Sequence, residues 1–214
     1  MHAGGDVAFQ GSAFLFAVGI NFAKRFFQRG LNCGPVFRAD YIVLALRNHI
    51  GENVYMNMIT AAEKSIYIST PYLILDETLI TALCLAAKSG IDVRIVTPSK
   101  YDKWMIHRAT QSYYRDLVEA GVHVYEYTPG FMHSKTIVID DKAAIVGSIN
   151  WDYRSLYLHF ESAVWMTGTD TVHDVYQDLQ KSFEVSDEVL PEELNYKKIW
   201  SIWRLILRLI SPIL

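Results

Sequence analysis

At 214 residues the chain is long enough to build one large domain or two small ones around a proper core. Its residues are 51% apolar and its formal net charge is −3, a globular balance that excludes the strongly basic profile of a nucleic-acid binder. Cys33 and Cys84 lie far apart with no metal-ligand spacing, so neither a disulfide nor a zinc site is expected.

Residues 1–50 form an unassigned segment. Gly4, Gly5, Gly11, Gly30 and Gly34-Pro35 interrupt it repeatedly, so poor order is expected, with at most one helix across 12–29. Its apolar run, 13–20, is too short to span a bilayer and has no basic region before it. No membrane-spanning helix is expected elsewhere. Regular punctuation then begins. A helix over 53–63 leads to a strand over 65–69, which Pro71 stops. Asp76 can cap a helix running through Leu79, Leu83, Ala86 and Ala87 to a stop at Gly90. A strand over 93–97, a helix over 103–120 ending at Gly121, and a strand over 122–127 follow. Pro129-Gly130 turns the chain into a strand over 132–139, and Asp140-Asp141-Lys142 turns it back through 143–146. A strand over 160–166 and a helix over 170–185 complete the pattern. The order predicts an α/β fold, a mixed sheet flanked by helices, with no internal repeat.

The strand over 132–139 carries the chemistry. Ile137, Val138 and Ile139 supply the apolar side chains a strand needs, whereas His133 and Lys135 need another reason. A strand's period of two would point both to one face. There an imidazole can attack phosphorus or move a proton, and an ammonium can hold phosphoryl oxygens. A bare His-x-Lys pair is more often an exposed strand end, but the spacing onward to Asp140, Gly147, Ser148 and Asn150 shifts the balance. Asn150 offers an amide N–H to the same oxygens. Ser148 is either a smaller donor or a simple turn residue. Asp140 has the opposite parity to Lys135 and reads as stabilising the turn. Glu161, alone among Phe160, Ala163, Val164 and Trp165, is costly in an apolar strand unless it is paired. Arg154 and Ser155 shape the loop or approach a ligand head group, as could Arg108, Tyr113 and Tyr114. A solvated helix face is the plainer reading for these.

The whole pattern, His-x-Lys-x4-Asp-x6-Gly-Ser-x-Asn, resembles the signature of the phospholipase D superfamily. With Ser69-Thr70-Pro71-Tyr72, Tyr125-Glu126-Tyr127 and Asn150-Trp151-Asp152-Tyr153-Arg154-Ser155, residues 53–170 are similar to the C-terminal half of a bacterial cardiolipin synthase. The resemblance implies a phospholipase D-like half-domain over 51–187. It implies phosphatidyl transfer between two phosphatidylglycerol molecules through a phosphohistidine, giving cardiolipin and glycerol. His133 would be the general acid and later the base, or either histidine of a symmetric dimer. Lys135 and Asn150 would clamp the phosphate, with Ser148 a lesser donor. Glu161 would stand against the far nitrogen of the catalytic imidazole, and His159 occupies a position where the family often has Asn. No cofactor and no metal are implied. Complete members carry two such motifs behind membrane helices, so one motif reads as half an enzyme. The second half-domain would come from a homodimer or from a missing N-terminal half. Two alternatives stand beside this reading: a single-motif phosphodiesterase or nuclease acting as a homodimer, and an inactive truncated fragment.

Residues 188–214 form an amphipathic tail. Lys197, Ser201, Arg204 and Arg208 fall on one helix face, and Trp200, Trp203, Ile206, Leu207 and Ile210 crowd the rest. Trp beside Arg suits the interface of an anionic bilayer, implying a peripheral place on the cytoplasmic side of the cell membrane. The alternative is a helix packed on the protein's own core.

Overall fold

A computed structural model describes residues 42–46, 50–194 and 206–209. The expected helix over 12–29, Cys33 and most of the tail lie outside the described residues.

Alternation builds the sheet. In β2 (Ser65–Ser69), Ile66 and Ile68 face one layer and Tyr67 the other; in β5 (Thr136–Ile139), Ile137 and Ile139 oppose Val138 in the same way. The first face is covered by α1 (Ile50–Ala61), α2 (Glu77–Lys88) and α3 (Trp104–Glu119). They bury Tyr55 and Met58, Leu79 and Leu83, and Tyr113 and Leu117, each pair at helical spacing. The opposite face is covered by α4 (Asp170–Glu184), through Val172, Leu179 and Phe183. Asp76 caps α2 as expected, its carboxylate accepting the Leu79 N–H at 2.7 Å.

Among the described residues the sheet has eight strands, and its remaining members are β1 (Ile42–Leu46), β3 (Asp92–Pro98), β4 (His123–Tyr127), β6 (Ala143–Gly147), β7 (Glu161–Thr167) and β8 (Ser186–Glu188). Their order is β1-β7-β6-β5-β2-β3-β4-β8. Only β2-β3 and β3-β4 pair in parallel, so the sheet is mixed, as expected.

Four elements depart from expectation. β1 arises from the unassigned segment and joins the edge antiparallel to β7, where Val43 pairs with Val164. β8 is a short strand paired with β4, and residues 154–158 form a single π-helical turn. The motif strand begins only at Thr136, not at 132. Thr136 is opposite Ser69, the last residue of β2; beyond it Pro71 carries no N–H and β5 loses its partner on that side.

Register places the site. The C-terminal ends of β2, β3 and β6 and the N-terminal ends of β5 and β7 meet along one rim, through the pairs Ser69–Thr136, Thr136–Val146 and Gly147–Ala163. Loops leaving a rim of strand ends are where α/β sheets hold ligands.

Candidate active site

His133 and Lys135 precede β5 in irregular backbone, so strand parity does not govern them. The expectation that they share a strand face is corrected: His133 is exposed and Lys135 is buried. The Lys135 ammonium turns back and donates to the His133 carbonyl at 2.7 Å. Burial lowers its pKa, while the carboxylates of Glu161 and Asp152 oppose that shift.

His133 sits between two rings. Phe131 stacks on it with centroids 5.5 Å apart, and Tyr72 meets it edge-on at 6.3 Å. The rings shield the imidazole from water, and that loss of solvation lowers its pKa; Lys135 adds to the shift and Asp102 works against it. The site therefore favours a neutral imidazole, the form that attacks phosphorus or accepts a proton. Tyr72 is itself held, its hydroxyl donating to Asp102 at 2.5 Å.

Asp140 lies in the hairpin turn just beyond β5. Its carboxylate accepts the backbone N–H groups of Glu63, Lys64 and Ser65 at 2.8, 2.7 and 2.9 Å, tying the hairpin turn to the α1–β2 connection. Asp140 and Asp141 both take positive φ, 53° and 55°, as a tight two-residue turn requires. Gly147 is needed for a different reason: a Cβ there would lie 2.4 Å from the Ser162 carbonyl oxygen and 2.6 Å from Ala163.

Ser148 and Glu161 come together across β6 and β7, the Ser148 hydroxyl donating to the Glu161 carboxylate and accepting the Ser162 N–H at 3.0 Å. His159 Nδ1 lies 3.8 Å from the same carboxylate. Glu161 is thus paired, as its apolar strand demands. Its partners differ from expectation, however, and among the described residues no hydrogen bond joins it to His133. The reason is register, which sets the first residue of β7 against the loop leaving β6.

The Asn150 amide N–H donates to the Ser155 hydroxyl at 3.1 Å, leaving its buried carbonyl oxygen without a hydrogen-bond partner. Ser155 in turn donates its backbone N–H to Asp152 at 2.7 Å, so this serine shapes the loop. Arg154 is exposed beside it. Asp152 is buried, and that burial raises its pKa. Tyr113 and Tyr114 are not on a solvated face: both are core residues, and Tyr114 shares a 2.7 Å bond with Thr97. Arg108 donates to Gln111 at 3.0 Å.

The tail's described residues bring a second correction. Arg208, expected to meet anionic lipid, is bonded to Asp116 and lies over the Tyr113 ring, 4.6 Å from its centroid. A guanidinium gains more from a carboxylate and an aromatic face together than from solvent.

Sequence reasoning missed Tyr72, Phe131 and Asp152 as neighbours of the site. Tyr72 follows the proline that ends β2, and Phe131 precedes His133 by two residues, so nearness in sequence was the available signal. Among the described residues, no three His, Cys, Asp or Glu side chains are grouped to hold a metal ion. Among these same residues no helix is long and apolar enough to cross a membrane.

An exposed imidazole, a buried ammonium and a Gly-Ser-x-Asn loop on one rim suit a phosphodiester, and comparison with known proteins agrees. Residues 55–185 match the family described as cardiolipin synthase, PLD-like domain. The cardiolipin synthase of Halalkalibacterium halodurans is 41% identical over 169 residues, covering 78% of this chain and 34% of that protein. The fold is shared with a phospholipase D family member, NUC, from Salmonella typhimurium (TM-score 0.60, 19% identity, 70% of this chain and 97% of that one). It is shared too with phosphatidylserine synthase of Haemophilus influenzae (TM-score 0.66, 16% identity, 92% of this chain and 54% of that one). The chain spans about a third of the length of the curated relatives it matches. By its sequence and by the fold that carries the motif, the chain belongs to the phospholipase D-like family of cardiolipin synthase domains.

Proposed function

We propose that this domain is one half of a phosphatidyltransferase site that makes cardiolipin from two phosphatidylglycerol molecules at the cytoplasmic face of the membrane. The observation that carries the reading is the pairing of an exposed, neutral-favouring His133 with the buried Lys135 charge behind it. One imidazole attacks phosphorus and the P–O bond to glycerol breaks. The second half's imidazole gives its proton to the departing alkoxide. It then takes a proton from the hydroxyl of the second phosphatidylglycerol, whose oxygen displaces the histidine from phosphorus. His133 fills either role. Lys135 and Asn150 hold the non-bridging oxygens as negative charge gathers there. Ser155 takes one hydrogen of the Asn150 amide NH2, and the second is left to face the phosphate. Within this chain Glu161 orients Ser148 and balances Lys135.

Leu158 and Phe160, 69% and 79% exposed beside Glu161, form an apolar patch suited to a second half-domain. The test is to measure molar mass by light scattering and phosphatidylglycerol turnover on the same fractions, beside His133→Ala. A dimer whose turnover vanishes in the variant supports a site built by two copies. A monomer active only with an added N-terminal half supports a split enzyme. No turnover in either form refutes the reading.

A further inference from the structure

The rim has two flanks of different chemistry. On the β7 side the exposed apolar residues are Leu158 and Phe160. On the β3 side the loop after Pro98 and the first turn of α3 expose Tyr101 (56%), Trp104 (53%) and Met105 (45%). Lys100 and Lys103 are exposed among them. This second flank adjoins the site directly: Asp102 receives the Tyr72 hydroxyl, Lys103 Nζ lies 6.0 Å from the centroid of the Tyr72 ring, and Tyr72 meets His133. Phe131, 42% exposed against His133, continues the apolar surface across the imidazole.

A soluble domain rarely leaves Tyr, Trp and Met together in water beside its site without a partner for them. Apolar and aromatic side chains interleaved with lysines match the interface of an anionic bilayer. There rings sit at the head-group level, and long cationic chains reach the phosphates. Charge agrees: two lysines face one carboxylate, Asp102, whose oxygen already accepts a hydrogen bond from Tyr72. His107, packed under Tyr101 with centroids 5.3 Å apart, is held toward its neutral form by burial, so Lys100 and Lys103 supply the positive charge of this flank.

We infer that residues 100–105 are a membrane-contacting lip, inserting Tyr101, Trp104 and Met105 into an anionic lipid surface. His133 is thereby presented at the depth of the lipid phosphodiester. The inference rests on the reading of the site as a phosphatidyltransferase and says how a bilayer substrate reaches it. The lip sits on the opposite flank from Leu158 and Phe160, so one copy can touch lipid and a second half-domain together.

The test compares the full chain with Tyr101→Ser/Trp104→Ser/Met105→Ser, checked for folding by thermal melting. Each is sedimented with vesicles of equal parts phosphatidylglycerol and phosphatidylcholine, and with phosphatidylcholine alone. Binding of the variant to the anionic vesicles should fall by about fivefold or more. Turnover of a short-chain, water-soluble phosphatidylglycerol should stay within about twofold, because no substituted residue touches the reacting groups. Equal sedimentation of variant and parent, or no sedimentation of the parent, overturns the lip. So does a changed molar mass in the variant, which would make the flank a protein interface. Failure of the parent to turn over either substrate, both alone and with an added N-terminal half, would defeat the proposed activity instead, leaving the sedimentation difference to decide the lip.

Discussion

Lys135 bonds the carbonyl of His133, two residues back, at 2.7 Å. The contact closes a small ring through the main chain of residues 133–135, so one side chain both fixes the histidine's backbone and sets positive charge near its imidazole. Burial works against that charge, and Glu161 and Asp152 retain it. Substitution Lys135→Met should therefore cut phosphatidylglycerol turnover by about a hundredfold or more, as loss of a transition-state donor does. The unfolding free energy should change by only about 1 kcal/mol, since removing a buried charge also removes its desolvation cost. Kinetics beside urea unfolding check both halves, and a variant that unfolds would assign Lys135 to structure alone.

Asp140 belongs to the signature, yet its three N–H partners lie in the α1–β2 connection and at the first residue of β2. Hydrogen bonds to a charged acceptor contribute about 1.5–3 kcal/mol each at most and do not sum fully, so Asp140→Ala should cost about 3 kcal/mol. Below the lowered unfolding midpoint the variant should keep the parent's KM. A variant of full stability and no activity would contradict this assignment.

The division between legible and illegible follows the length scale of the cause. Asp76 at the α2 cap, the turn at Asp140, and the opposite facing of Val138 against Ile137 and Ile139 are decided by neighbours in sequence, and each could be read there. The start of β5 could not be, because it depends on where β2 runs out of donors at Pro71, more than sixty residues earlier. The Glu161–Ser148 bond depends likewise on the β6–β7 register, and the burial of Tyr113 and Tyr114 on which face of α3 meets the sheet. β1 was hidden for the opposite reason: its five apolar residues, Ile42–Leu46, lie at the end of a stretch that glycines and Pro35 interrupt repeatedly.

Gly147 separates β6 from the β7 backbone at a point where no side chain fits. In Gly147→Ala the new methyl meets a carbonyl oxygen and a Cα rather than a flexible side chain, so the strands must part. A cost of about 2 kcal/mol is expected, typical of overpacking. The displacement passes to Ser148 and Asn150, the next residues of the same loop. Loss of turnover at a temperature where the variant remains folded is the expected result; full activity would mean that the loop tolerates the shift.

The His133 imidazole titrates below its ordinary value of 6.5, and three influences of known sign act on it. Shielding by the neighbouring rings comes first and lowers the pKa; Lys135 lowers it further; Asp102 raises it. An NMR titration of the ring, assigned through His133→Gln, should therefore place the parent below about 6.5. Lys135→Met should move the value up and Asp102→Asn should move it down. Because shielding is the largest cause and survives both substitutions, the Lys135→Met value should still lie below that of a free imidazole. A shift of the same sign in both variants would mean that a change in packing, not charge, sets the titration. If the two move apart while the Lys135→Met value stays below that of a free imidazole, the two charges tune a titration that shielding holds low. Where His133 is the nucleophile, the acid limb of turnover by the completed enzyme should then lie below the ordinary imidazole range, because protonation of His133 requires a lower pH than usual.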